Sequence, residues 1–260
     1  KIRGANLFRT VFFMPNLIGG VVLGYIWSMI FDGILSRFGT SILLETKYGF
    51  QDAANGNRLK ALVAKYVIKN GFKTHFRANL IYTVYPDGLV NVECQLSKGM
   101  FGCDELQRFG VTVELPKELN VVEFYGRGSH EKLENICDLK DHAYIGIWRT
   151  DVEAMHEPYV MPQDNGNCGG VKWLKLMNSD GNVFTVYGEP KFSFSAHNYT
   201  QKSLHNAKHQ EDLQFVDSTI LNIDGFMRGT GTNTCGPNTL DKYCVKTDKQ
   251  LVFKFAFKGE

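Results

Sequence analysis

The sequence predicts a mainly-β protein: a large antiparallel β-sandwich preceded by one N-terminal hydrophobic helix of transmembrane type. Three observations carry this. From Gln51 onward apolar and polar side chains alternate with a period of two through several runs. Turn signals separate those runs at short spacing, the pattern of a sandwich rather than of alternating strands and helices. Ahead of them, TVFFMPNLIGGVVLGYIWSMIF, Thr10 to Phe31, contains no charged side chain.

The N-terminal stretch has the length, about 20 apolar residues, that a helix needs to cross a hydrocarbon layer of about 30 Å. Pro15, Gly19, Gly20 and Gly24 weaken a helix in water but are tolerated in lipid, and Gly20-x-x-x-Gly24 offers a small-residue face to a neighbouring helix. A buried core helix is the alternative. Lys1, Arg3 and Arg9 before the stretch, against Asp32 and Arg37 after it, orient the N-terminus toward the cytoplasm. The chain begins at Lys1 and not at Met, which suggests that it is not a natural start.

The strands follow in order. In HFRANLIYTVYPDGLVNVECQL, Phe76, Ala78, Leu80, Tyr82 and Val84 share one face, Pro86-Asp87-Gly88 makes a turn, and Val90, Val92, Cys94 and Leu96 return on the same side. The pattern recurs in VTVELP, in VKWLKLMNSDGNVFTVYG with a turn at Asp180-Gly181, in KFSFSAH and in QLVFKFAFK. One short helix is predicted from Gln201 to His209, with Thr200 as its N-cap and Leu204 facing the sheet.

Composition narrows the function classes. With 29 basic and 27 acidic residues the chain lacks the basic excess of a nucleic-acid binder. Its six cysteines, Cys94, Cys103, Cys137, Cys168, Cys235 and Cys244, form no C-x-x-C pair and read as reduced thiols of a cytoplasmic protein.

Two resemblances divide the chain. LFRTVFFMPNLIGGVVLGYIWSMIFDG, continuing through GTSILLETKYGF to Phe50, resembles a transmembrane segment of a sugar ABC transporter permease. VVEFYGRGSHE, EPYVMPQDNGNCGGVKWLKL, FSFSAHNYTQKSLHNAKH and LNIDGFMRGTGTNTCGP resemble, in order and spacing, the C-terminal small-chain domain of glycoside hydrolase family 2 β-galactosidases. The expected organisation is thus a permease-like fragment over 1–50 and a small-chain domain over 51–260, a chimera joined near Phe50 and Gln51. The second resemblance implies a galactose-mutarotase-like supersandwich, here missing its earliest strands, that packs against a catalytic barrel or a separate large chain. It implies hydrolysis of terminal β-galactosides such as lactose, with the catalytic carboxylates and magnesium supplied outside this chain. The membrane is a partner through residues 10–31 only.

Glycoside hydrolysis needs two carboxyl groups, about 5–5.5 Å apart in a retaining enzyme. Glu123, Asp164 and Asp224 lie inside the family-like motifs and are weighed as such a set, against a plain role in turns and strand ends. No catalytic residue is assigned. His205 and His209 are spaced for one helix face, without the third ligand of a metal site. Ser195 with His197, and His130 with Glu131, suggest triad members, but no nucleophile elbow accompanies them. The shaped loop GTGTNTCGP, Gly229 to Pro237, is the strongest candidate. In some family members a Trp in it reaches the barrel; the matching position here is Cys235, so the resemblance places Asn233, Cys235 and Gly236 at the substrate rim. Trp148, Trp173, Tyr159 and Phe194 offer an aromatic platform, which would make the chain a carbohydrate-binding module. A mutarotase-like aldose epimerase is a further alternative.

Overall fold

The computed structural model describes residues 41–45, 60–70, 72–85, 87–127, 145–229 and 239–260. The clearest alternation becomes the clearest hairpin: β3 (Lys73–Val84) pairs antiparallel with β4 (Val90–Lys98), from Val84 opposite Val90 to Phe76 opposite Lys98. Phe76, Ala78, Leu80 and Tyr82 are buried together with Val90, Val92, Cys94 and Leu96, as the period of two requires. A slip of one residue would turn all eight to solvent, so burial pins the register. At the turn, Gly88 takes φ +84° and Asp87 accepts from the Leu89 amide at 3.1 Å.

Two strands precede this hairpin. β1 (Ser41–Glu45) pairs with β2 (Lys60–Asn70), which pairs with β3. SILLE, part of the permease-like resemblance, is therefore a strand of this sheet. After β4 come β5 (Glu105–Leu106), β6 (Arg108–Pro116), β7 (Val121–Arg127), β8 (Ile145–Asp151), β9 (Cys168–Met177) and β10 (Val183–Tyr199). The helix α1 (Gln201–Asn206), β11 (Phe215–Met227), β12 (Val245–Lys246) and β13 (Leu251–Gly259) complete the described elements.

Among the described residues, the hydrogen bonds join eleven strands into one branched sheet. Its main path runs β1-β2-β3-β4-β13-β10-β9-β7-β8, and β11 joins β10 to β6 off that path. The branch exists because β10, at 17 residues, is longer than one sheet uses. Its first half, Phe184 to Glu189, pairs with β13; its second half, Ser193 to Tyr199, pairs with β11. The ladder to β9 shifts register between Tyr187 and Phe192, where the strand turns from one set of partners to the other.

The β6–β11 ribbon then packs back over β13. Phe109 meets Phe253 edge-on with centroids 5.4 Å apart, and Phe226 stacks on Phe109 at 6.3 Å. Gly225 lies so close to the Phe253 ring that a Cβ there would overlap it. Leu115, Leu174, Leu176, Phe184, Phe194 and Leu221, each at most 1% exposed, come from both arms of the branch and form one continuous core.

Two sequence expectations need correction or placement. The helix begins as predicted, with Thr200 Oγ1 accepting from the Ser203 amide at 3.1 Å and Leu204 buried, but it ends at Asn206. A separate 3-10 turn, Gln210–Asp212, follows, with His209 as its cap, so His205 and His209 do not share a helix face. Ala207 is buried with Leu204, Leu213 and Tyr199, and this small cluster draws the chain out of the helical path. Among the described residues no helix is long and apolar enough to cross a membrane; Thr10 to Phe31 lie outside those residues.

Candidate functional site

Polar side chains buried where β6, β10 and β11 meet the loop before β9 form the candidate site. Arg108 opens β6 opposite Met227, and its side chain runs back along the ladder to Asp224. Its Nε donates to Asp224 Oδ1 at 3.1 Å and its Nη2 to Asp224 Oδ2, a two-pronged pair in which Asp224 is 2% exposed. The remaining nitrogen, Nη1, lies 3.6 Å from Asp164 Oδ1, so one guanidinium holds two carboxylates. Burial pushes the Asp224 carboxyl up, and Arg108 pulls it back with charge and hydrogen bonds. Burial works against the charged form of Arg108, but the two carboxylates outweigh it and raise its pKa.

Asp164 belongs to the PQDNGN stretch, whose shape is set by the next two residues. Asn165, 1% exposed, accepts from the Glu157 amide at 3.0 Å through Oδ1. Its Nδ2 donates to the Gln163 carbonyl at 2.9 Å and to Tyr199 Oη at 3.1 Å. Its carbonyl lies 2.9 Å from His197 Nε2. Gly166 has φ +68°, and a Cβ there would lie 2.6 Å from the Met155 carbonyl and 2.8 Å from His197 Cε1, so only glycine fits. His197 stacks on Tyr199 with centroids 4.7 Å apart. Burial lowers the His197 pKa from 6.5 to about 4 and raises that of Tyr199 to about 12. Deeper in, Asn222 donates to Ser195 Oγ at 3.1 Å and accepts from Thr112 at 2.8 Å.

The candidate rim loop leaves from the same place. Gly229 follows Met227 by two residues; its amide donates to the Tyr243 carbonyl at 2.9 Å, and its carbonyl accepts from Thr239 Oγ1 at 3.0 Å. Gly229 and Thr239 are thus tied to each other on either side of the loop, and the Arg228 amide donates to the Gln107 carbonyl at 2.8 Å. Asn233, Cys235 and Gly236 lie outside the described residues, as do His130, Glu131 and Cys137.

Of the three weighed carboxylates, the structure brings Asp164 and Asp224 together and leaves Glu123 apart, on β7 between Arg149 of β8 and Lys175 of β9. Ser195 and His197 are neighbours in a buried network and present no exposed nucleophile. The aromatic platform does not assemble. Phe194 is in the core, Trp148 packs against the core, Trp173 lies between Tyr125 and Tyr187 on another row of the sheet, and Tyr159 is on a loop. Arg108, Asn165, His156 and Tyr199 were not singled out in the sequence. Asn165 lies next to the weighed Asp164 in the family-like motif, but nothing local marks Arg108, whose partner is 116 residues away.

Among the described residues, one group could hold a metal: Glu105, Asp241 and Cys244. It does not suit magnesium, which takes oxygen ligands in octahedral array. A thiol supplies the third position, and Lys246 Nζ already pairs with both Glu105 and Asp241. Cys94, Cys103 and Cys244 are free thiols.

The profile of the β-galactosidase small chain matches residues 37–257. The chain belongs to the β-galactosidase small-chain family. Curated relatives agree: it is 37% identical over 177 residues to a β-galactosidase of Actinobacillus pleuropneumoniae, covering 68% of this chain and 17% of that protein. It is 32% identical over 178 residues to one from Halalkalibacterium halodurans, covering 67% and 17%. This small-chain sequence thus spans about a sixth of these relatives' length. An aldose epimerase homologue from C. elegans (7% identity, TM-score 0.42) and a protein described as an aldose 1-epimerase from Escherichia coli K12 (10%, 0.40) each cover 84% of this chain and 68% of theirs. Likeness at that level decides nothing about the site. The permease-like reading of residues 1–50 gains no support from these matches, and the small-chain match begins at residue 37, inside that stretch.

Proposed function

We propose that this chain is the non-catalytic small-chain part of a β-galactosidase acting on terminal β-D-galactosides such as lactose, and that its Gly229 to Pro237 loop completes the rim of an active site built elsewhere in the enzyme. The single observation that carries this is the pinned base of that loop, with Gly229 held by Tyr243 and Thr239, in a chain that matches the small-chain family over residues 37–257. Tying Gly229 to Thr239 lowers the entropic cost of ordering the segment between them on contact with a partner.

The chemistry of the site supports the non-catalytic part of the reading. Acid–base cleavage requires one carboxyl group to hand over a proton while another stays ionised near the reacting carbon. Asp164 and Asp224 instead share the Arg108 guanidinium, and Asp224 is buried. Both are committed to holding the loop before β9 against the β6–β11 ribbon. Asn233, Cys235 and Gly236 remain the proposed rim residues, and magnesium and the catalytic carboxylates belong in this proposal to the rest of the enzyme.

The test is reconstitution. The purified chain alone should not hydrolyse a chromogenic β-galactoside above background. Co-expressed with the Actinobacillus pleuropneumoniae β-galactosidase lacking the segment that this chain matches, it should restore turnover. Turnover by the chain alone that disappears on Asp164→Asn or Asp224→Asn would overturn the reading.

A further inference from the structure

The chain between the Glu153–Met155 turn and β9 makes a short excursion whose frame is closed by one side chain. Asn165 bonds the Glu157 amide at one end and the Gln163 carbonyl at the other. His156, at its foot, packs edge-on against Tyr199 and Phe215 and lies 3.3 Å from Gln210 Oε1, while Gln210 Nε2 donates to the Tyr159 carbonyl. Pro162 is buried. Yet the tip turns its apolar side chains outward: Tyr159 is 39% exposed, Val160 90% and Met161 65%, and Phe215, packed on His156 at the foot, is 63% exposed. A loop held this firmly has no local reason to show apolar groups to water. Rigid, exposed apolar side chains mark a surface that another protein covers.

We propose that Tyr159, Val160, Met161 and Phe215 form a docking surface for the rest of the β-galactosidase polypeptide. The inference rests on the reading above, because it takes its occupant from there. The matched relatives carry the other five sixths of their length beyond the segment this chain covers, so a protein surface is available to meet the patch. The direction also agrees. The excursion ends at Asp164 and β11 ends at Met227, two residues before the rim loop, and both meet Arg108, through the Asp164 contact at 3.6 Å and the pairing of Arg108 with Met227. Tyr and Met suit this use, since both bury large area with adaptable or amphipathic side chains.

The experiment uses the full chain co-expressed with the shortened Actinobacillus pleuropneumoniae enzyme. Val160→Asp with Met161→Asp should reduce co-purification and restored turnover at least about tenfold, as loss of central apolar anchors does. The isolated variant should keep the melting temperature of the parent chain, because both side chains are exposed. Phe72→Asp, in the turn between β2 and β3 and wholly exposed, should leave binding unchanged. If the doubly substituted chain assembles as well as the parent, the docking surface is wrong while the rim reading stands. If the parent chain itself fails to assemble, both fall. If the parent chain instead sediments as a dimer that the double substitution breaks, the patch pairs with a second copy and the proposal is overturned.

Discussion

His197 shows how far a single residue's chemistry is set by its surroundings. Its ring is 2% exposed, stacked on Tyr199 and bonded to the Asn165 carbonyl, and burial lowers its pKa from 6.5 to about 4. The unfolded chain therefore takes up a proton that the folded chain refuses. The stabilisation is complete above about pH 6.5 and is lost as pH falls toward 4, reaching about 3 kcal/mol at 1.36 kcal/mol per unit. Urea unfolding at pH 7 and pH 5 should show the parent chain losing about 2 kcal/mol more than His197→Gln, which keeps a donor for the Asn165 carbonyl. Equal losses would show that His197 is not held neutral. Arg108 illustrates the same dependence in the opposite direction: its two carboxylate partners, distant in sequence, raise its pKa, and only folding gives the residue its role.

At the level of elements, the fold turns on how β10 serves two sets of neighbours. The β6–β11 ribbon that leaves it must pass directly over β13, and Gly225 is the point of closest approach to Phe253. Gly225→Ala forces the ribbon or the ring to move, an overpacking cost of about 1–3 kcal/mol. The same change moves Asp224 relative to Arg108, since the ladder is irregular between Asp224 and Phe226. We expect a lower denaturation midpoint for Gly225→Ala, and a midpoint equal to the parent's would mean that the ribbon sits further from β13 than described. The α1 helix was legible in its start and not in its end. Thr200 and Leu204 are local signals for capping and for the buried side, whereas the stop at Asn206 follows from Ala207 joining Tyr199 and Leu213, a contact no local pattern reveals.

For the whole molecule, β1 is the element that links the two expected parts of the chain. It is a five-residue strand that, among the described residues, bonds only to β2, at the end of the main strand path. Among the described residues, removal of 1–50 takes away the β1 ladder and none of the side chains of the core shared by β3, β4, β6, β7, β9, β10, β11 and β13. Thermal unfolding of the truncated chain should remain cooperative, with a midpoint within about 4 °C of the parent, the shift expected for about 1 kcal/mol in a domain of this size. A much larger drop would show that the first 50 residues anchor the sandwich.

The sequence by itself determined the strand-rich class, the β3–β4 and β9–β10 hairpins, the N-cap of α1 and the motifs of the small-chain family. Each of these is written in neighbouring residues, through period-two alternation, turn glycines or a capping hydroxyl. Tertiary structure alone decided the branching of the sheet at β10, the clasp of Arg108 on Asp164 and Asp224, and the outward aim of Val160 and Met161. Those features depend on which distant segments meet. A buried charge finds its partner, and a glycine its close neighbour, only when the whole chain has closed around one core.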